Sequence, residues 1–436
     1  MLQLRLPQLK RLFLLALTAA MVGIGLSGCG RGGQDQVTIR FWNGFTGPDG
    51  RTMLAMVRKF NEENPDVRVV MQRMAWNTYY NKLFVAGLGG RAPELFVLQT
   101  DAFTRFQRAD FIQPLNAFIE GEYGLDMSDF DDNVIETVLH NGEYFAIPLD
   151  AYILGMYYNR DLFRRAGIVD EYGEPLAPTT REDFLLAARR IRDLGRTELG
   201  DTWGFVFAEL FNNLYGIATQ FGAEFFSEDG REVTINAPEN VAAVEFALSL
   251  IQEHRVAPPI EAMDSWIGFR QGRVGMVFQG IYMMPDLERQ QTLDFGAAPI
   301  PTFGPQRGTW MGSHNLCMSV GLDEREAEAA WRFMRFLSDN SLDWAEGGQV
   351  PVRKSLRETE RFQEMYAQSQ FAKQLEYAQY VPANVFVFEY LEQYNLALER
   401  ALRARTTPQQ ALDEAAANIR EIMRRYGITP REDDAT

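Results

Sequence analysis

The sequence predicts an α/β fold in two lobes, on three observations. Strand-like and helix-like segments alternate from residue 37 onward, the pattern of βαβ units forming a mostly parallel sheet covered on both faces. The chain has 436 residues, and single hydrophobic cores rarely grow past about 300. Nothing after Cys29 is long and apolar enough to span a bilayer.

The N-terminus is read separately. Arg5, Lys10 and Arg11 precede the apolar run Leu12, Phe13, Leu14, Leu15, Ala16 and Leu17, and the stretch ends on Leu26-Ser27-Gly28-Cys29 with no acidic residue. A basic region followed by an apolar one predicts a secretory signal over residues 1–28. Its Leu-Ser-Gly-Cys end resembles the lipobox of bacterial lipoproteins, where small residues fit the signal peptidase and the following thiol is acylated. Cys29 is thus the expected lipid anchor, and the polar, Gly-rich residues 29–36 a flexible tether. An uncleaved transmembrane anchor is the alternative. Gly23, Gly25, Ser27 and Gly28 oppose it, because they leave the apolar stretch short of the about 20 residues a span needs.

The elements follow in order. Residues 37–42 alternate apolar and polar as a strand, and Asn43-Gly44-Phe45-Thr46-Gly47-Pro48-Asp49-Gly50 carries the turn residues of a loop. Over residues 51–64, Met53, Leu54, Met56, Val57 and Phe60 share one helical face until Pro65 stops the helix. A strand returns at 67–71, a helix at 77–88 ends on Gly89-Gly90, and a strand follows at 94–98. From about Asp323 the chain reads as helical, over 327–337, 363–377 and 407–426, the last started by Thr407-Pro408.

Composition excludes several chemistries. The formal charge is −16, and three of the basic residues lie in the leader, so nucleic acid is not an expected partner. With Cys29 committed to lipid, Cys317 has no disulfide partner and reads as a small apolar residue in a strand. Three scattered histidines, His140, His254 and His314, offer no zinc-type spacing. No cofactor or metal is expected.

A series of motifs then resembles the family 1 extracellular solute-binding proteins of ABC-type sugar importers, among them maltose/trehalose- and glycerol-phosphate-binding lipoproteins. The opening Ile39-Arg40-Phe41-Trp42 and Phe60-Asn61-Glu62-Glu63-Asn64-Pro65-Asp66-Val67 are similar to theirs. So are Tyr158-Asn159-Arg160-Asp161-Leu162-Phe163-Arg164-Arg165-Ala166-Gly167 and Pro178-Thr179-Thr180-Arg181, where Arg181 stands in place of the usual Trp. Phe269-Arg270-Gln271-Gly272-Arg273-Val274-Gly275-Met276 carries Gly275 for the usual Ala, and Pro299-Ile300-Pro301 and Gly347-Gly348-Gln349-Val350-Pro351 extend the likeness. The resemblance implies a type II periplasmic-binding-protein-like fold, with ligand in the cleft between lobes that close on it. Lobe 1 is then expected from 37–148 and 299–350, and lobe 2 from 149–298 and 351–430, with crossovers near 147–152, 297–302 and 347–353. It implies an exported monomer that captures a carbohydrate or polyol and delivers it to the transmembrane subunits of an importer.

Sugars present apolar CH faces and rings of hydroxyls, so their sites combine aromatic platforms with polar side chains. Aromatic residues make up 12% of the chain, and the carboxyl ends of strands are where open α/β sheets bind ligands. Trp42 is placed either to stack on a sugar, with Asn43 beside it, or to pack under its loop. Tyr79 resembles a cleft tyrosine of the family, unless Tyr80 takes that place. Asp101 follows a strand, as a ligand contact or a helix cap. Asp150 and Tyr152 fall on the first crossover. Gly280, in Gln279-Gly280-Ile281-Tyr282, allows close backbone approach or makes a plain turn. Trp310 and Gly312 lie in Thr309-Trp310-Met311-Gly312, which resembles the family's Gly-Gly segment, and Arg353 is placed for hydroxyls or for an interlobe ion pair. Phe211, Trp266, Glu209 and Asn212 are further second-lobe candidates, and Trp203 reads as core.

Two rival functions follow from the same residues. One is an exported carbohydrate hydrolase using paired carboxylates, although no catalytic motif is recognisable and Gly-x-Ser-x-Gly is missing. The other is a binding protein for a glycerol phosphodiester, which the lack of a basic cluster disfavours.

Overall fold

The computed structural model describes residues 36–431. The secretory signal, Cys29 and all of the tether except Gln36 lie outside the described residues.

Period-two burial makes β1 (Val37–Asn43) a half-buried strand: Ile39, Phe41 and Asn43 point inward while Thr38 and Arg40 face out. The helix α1 (Asp49–Glu63) lays Met53, Met56, Val57 and Phe60 on the sheet. It is followed by β2 (Val67–Arg73), α2 (Trp76–Leu88), β3 (Leu95–Gln99) and α3 (Thr100–Gln107). β1 runs parallel to β2 from Val37↔Val67 to Asn43↔Arg73, and parallel to β3. Two later strands, β4 (Ile147–Pro148) and β10 (His314–Met318), complete a five-stranded sheet in the order β2-β1-β3-β10-β4.

The second sheet is organised by β5 (Asp150–Asn159), ten residues buried throughout. Around it lie β6 (Trp203–Phe205), β7 (Val274–Gly280), β8 (Phe295–Ala298), β9 (Thr309–Gly312), β11 (Val350–Pro351) and β12 (Ala378–Gln379). This sheet departs from the mostly parallel arrangement expected of both lobes, because β7, β8, β9 and β11 all pair antiparallel to β5. The physical reason lies in β5 itself, which arrives from the first sheet and is flanked by strands running back toward it. Parallel pairing persists only between β6 and β7 and between β9 and β12.

The chain passes between the sheets at Leu149, from β4 to β5. The second passage, expected near residues 297–302, falls instead at Ser313, since β8 and β9 both belong to the second sheet. Pro299-Ile300-Pro301 is therefore a loop within the second lobe, and lobe 1 resumes at His314 rather than at residue 299. Ser313 is pinned there by its backbone N–H, which donates to Thr100 Oγ1 at 3.1 Å. The third passage leads through β11, whose Val350 and Pro351 pair with Ala151 and Asp150.

The late helices mostly match their sequence signals. Asp323 and Glu326 form a capping box on the helix Glu324–Asp339, and Thr407 and Gln410 form one on Pro408–Arg425. The single helix expected over 363–377 is broken at Met365 into Glu360–Glu364 and Tyr366–Ala372. Beyond the break Phe371 packs on Gly155 of β5, where a Cβ would sit 2.3 Å from its ring. Tertiary packing thus overrides the helical period.

Candidate functional site

Both lobes open on a cleft of about 450 Å³ lined by Gly44, Asp49, Trp76, Asp101, Tyr152, Glu209, Tyr282, Trp310 and His314, among others. The first-lobe wall begins where β1 ends. Asn43 is fully buried, and its Oδ1 accepts from the Phe45 N–H at 3.2 Å, which turns the chain so that Gly44 to Pro48 runs along the cleft. Gly44 is required there because the Trp76 ring would lie 2.0 Å from any Cβ. Trp76, at the start of α2, stacks on His314 at 5.6 Å and 11° and on Tyr80 at 5.6 Å and 28°. Next to it, Asp101 follows β3, and its Oδ1 accepts from the Ala102 N–H at 2.8 Å. Burial pushes the Asp101 carboxyl up to about 6, against the opposing pull of backbone N–H groups and of His314. Burial raises Asp49 too.

The second-lobe wall carries Tyr152 on β5, Trp310 on β9 and Tyr282 just after β7. The Tyr152 and Trp310 rings lie 5.5 Å apart. Glu209 caps the helix α4 (Leu210–Gln220) with φ +33°, in the left-handed region. A non-glycine residue held there stores strain of roughly 1 kcal/mol. The conformation holds its carboxylate at the cleft, where Oε2 accepts from Tyr282 OH at 2.5 Å and from Asn212 Nδ2 at 2.8 Å. Burial raises the Glu209 carboxyl above its usual range despite these donors. Burial, and then the Glu209 charge, keeps the Tyr282 phenol protonated and donating.

The floor is a buried polar cluster set among rings. His314 has the Tyr152 ring at 4.4 Å, Phe45 at 4.8 Å and Trp76 above it. Its Nδ1 meets the Asp150 carboxylate at 2.9 Å. The same carboxylate accepts from the His314 backbone N–H at 3.0 Å and from Trp344 Nε1 at 2.5 Å. With Nδ1 taken, the edge of the imidazole that carries Nε2 is left for the cleft.

Of the ten residues singled out from the sequence, Asp101, Tyr152 and Trp310 line this cleft. Asn43, Asp150, Gly280 and Gly312 lie behind the lining: Asp150 is fully buried, and the two glycines give room to the rings of Tyr282 and Tyr152. Three stand elsewhere. Tyr79 is fully buried, and its hydroxyl donates to the backbone carbonyl of Val97 at 2.8 Å, so it knits the first sheet rather than facing ligand. Trp42 is half-buried and packs into the same cluster as Tyr79 and Tyr80. Arg353 pairs with Asp129 and Asp339, both at 2.8 Å, away from the cleft. The second-lobe candidates Glu209 and Asn212 do line the cleft, whereas Phe211 and Trp266 do not.

Sequence reasoning missed Trp76, Asp49, Tyr282 and His314. Trp76 and Asp49 obey the rule used for the others, since each lies just beyond the carboxyl end of a strand, β2 and β1 respectively. His314 gave no such signal, because only the passage at Ser313 brings it under the cleft.

A family model described as "Bacterial extracellular solute-binding protein" matches residues 45–341. A putative binding protein of Brucella abortus is 23% identical over 425 residues, covering 94% of this chain and 98% of that one. The sn-glycerol-3-phosphate-binding periplasmic protein of Escherichia coli is 23% identical over 444 residues, covering 94% and 97%. Among solved structures, an ABC substrate-binding protein of Listeria monocytogenes in complex with cycloalternan superposes with a TM-score of 0.78 at 24% identity, over 89% of this chain and 99% of that one. The maltose/maltodextrin-binding domain of Bdellovibrio bacteriovorus bound to maltotriose does so with 0.74 at 20% identity, over 89% and 100%. These likenesses establish the two-lobed fold.

Proposed function

The chain belongs to the bacterial extracellular solute-binding proteins, exported proteins that bind and do not turn over their solute, and on that premise we propose that it captures a carbohydrate or polyol. The interlobe cleft is the binding site, and the transmembrane subunits of an ABC importer are the recipient. One observation carries the ligand class: aromatic rings from both lobes, Trp76 from the first and Tyr152, Tyr282 and Trp310 from the second, surround carboxylates in one cleft. Rings stack on the CH faces of a sugar, and carboxylates accept from its hydroxyls. Within this reading Asp101, Tyr152 and Trp310 contact the ligand directly, as do Trp76 and Glu209.

A glycerol phosphodiester fits less well. Phosphate recognition calls for Arg, Lys or a cradle of backbone N–H groups, and no lysine or arginine lines the cleft among the described residues. The Escherichia coli relative is named for binding sn-glycerol 3-phosphate, a phosphate monoester, so relatedness alone does not choose between the two classes; the lining supports the carbohydrate. A monomer tethered through a lipid on Cys29 completes the reading, restricting diffusion to the membrane surface that holds the importer.

Thermal-shift measurement against a panel of oligosaccharides, polyols and sn-glycerol 3-phosphate tests the ligand class. A carbohydrate present at 100 times its Kd should stabilise the fold by about 2.7 kcal/mol. A shift with the phosphate ester and with no carbohydrate sinks the reading. Radiolabelled palmitate incorporation, abolished in Cys29→Ser, tests the anchor.

A further inference from the structure

His314 lines the cleft although it is only 4% exposed. Its ring is held by its neighbours: nearly parallel to Trp76 at 5.6 Å, with Tyr152 at 4.4 Å and Phe45 edge-on at 4.8 Å. Nδ1 meets the Asp150 carboxylate at 2.9 Å. Nε2 is in a different position. It has no hydrogen-bond partner among the described residues, and it is not closed off inside the protein as the unpartnered buried polar atoms are. A side chain withdrawn this far from water ordinarily has its polar atoms satisfied, so a free ring nitrogen at the wall of a cleft is aimed at what enters it.

The pairing with Asp150 also decides what Nε2 can do. That carboxylate already accepts from the His314 backbone N–H at 3.0 Å and from Trp344 Nε1 at 2.5 Å. It accepts from the ring as well, which places the proton of the neutral imidazole on Nδ1 and leaves a lone pair on Nε2. We propose that His314 is a direct ligand contact, its Nε2 accepting a hydrogen bond from a hydroxyl of the bound carbohydrate, and that Asp150 is the positioning residue that fixes the tautomer. The inference rests on the carbohydrate reading above and deepens it, by naming the atom on the floor of the cleft and the group it selects. An acceptor there calls for a ligand that brings a proton. A hydroxyl does so, whereas an ionised phosphate or carboxylate has none to give and would set one lone pair against another.

Two readouts test this, the first beginning without ligand. Long-range proton–nitrogen correlation spectra of the full chain with isotope-labelled histidine, at pH 8, should show the His314 proton on Nδ1 and a bare Nε2; loss of signals in His314→Asn identifies the residue. The probes are maltose, maltotriose, trehalose, cellobiose and sorbitol, and whichever binds tightest should move the Nε2 resonance while Nδ1 keeps its proton. Isothermal titration with the same compound is the second readout. Asn presents an N–H where Nδ1 stands and nothing where Nε2 stands, whereas Gln reaches the Nε2 position with its amide. His314→Asn should bind about tenfold or more weakly than wild type, and His314→Gln should recover severalfold of that loss even where it melts lower. A proton on Nε2 in the ligand-free protein overturns the inference. So does an Nε2 resonance that a bound sugar leaves unmoved, or wild-type affinity in His314→Asn, and in those cases the carbohydrate function stands. If none of the probes binds, the carbohydrate function fails and the inference falls with it.

Discussion

Two sets of acidic residues in this protein are both withdrawn from water and are treated in opposite ways. At the junction of the lobes, Asp150 is fully buried and receives the His314 ring, the His314 backbone N–H and Trp344 Nε1. In the cleft, Asp49 has a buried oxygen with no partner, Asp101 leans on a neighbouring backbone N–H, and Glu209 lines the space with two side-chain donors on the same oxygen. A satisfied buried carboxylate fixes structure, whereas one that lines a cavity keeps acceptor capacity for what enters it. Asp150 also lies where all three passages between lobes meet. It opens β5, holds His314 at the start of β10, and pairs with Pro351 of β11.

The largest expected effect breaks the satisfied side of this comparison. Asp150→Ala leaves Trp344 Nε1 and the His314 N–H groups buried without an acceptor, and should lower unfolding free energy by about 3–5 kcal/mol, read as a drop in the urea midpoint. A loss below about 1 kcal/mol would show that the junction tolerates an orphaned cluster and would remove the contrast.

The next effect belongs to the cleft. Trp310→Ala should weaken carbohydrate binding about 10- to 100-fold and lower the apoprotein's stability by less than that, because the ring, though packed against the cores of both lobes, is only half-buried. Equal loss of stability and of affinity would make Trp310 a packing residue instead.

Asp101 sharpens the comparison through pH. Its folded-state carboxyl sits at about 6, above the ordinary 3.8, because burial disfavours the charge. Between those values the folded protein keeps a proton that the unfolded chain has already released. This group's contribution to stability is therefore present below about pH 4 and is lost as pH rises through 6. Asp101→Asn cannot ionise, so relative to wild type it should gain about 1–3 kcal/mol between pH 4 and pH 7.5. Parallel melts of the two proteins across that range check it, and a constant difference would place Asp101 in an ordinary solvated setting.

The smallest effect concerns Tyr79. Tyr79→Phe removes one buried hydroxyl bonded to Val97 and Trp42 backbone groups, and should lower stability by about 1 kcal/mol without changing ligand affinity. A tenfold fall in affinity at unchanged stability would return Tyr79 to the cleft.

Much of the first lobe was legible because its signals are local. The alternation of Ile39 and Phe41, the helical spacing of Met53, Met56 and Phe60, and the stop at Pro65 each act within a few residues. The capping boxes at Asp323 and Thr407 are equally local. The cleft was legible only in part, where a candidate followed a strand already recognised, as with Asp101 and Tyr152. Arg353 was left open between ligand hydroxyls and an ion pair, and only the tertiary structure chose the ion pair, since one partner, Asp129, lies 224 residues away along the chain. Tyr79 and Trp76 lie on the same helical turn, and nothing in the sequence says which of two neighbouring aromatics faces solvent and which enters the core.

By itself the sequence determined the alternation of strand and helix and the need for two lobes, both of which depend on local periodicity, composition and length. Tertiary structure alone decided the rest. It moved the second passage to Ser313 and brought His314 onto Asp150, and it set Asp49, Asp101 and Glu209 around one cleft. Desolvation and pairing depend on which distant segments surround a group, and residues 49, 209 and 314 come to line one cleft only in the folded chain.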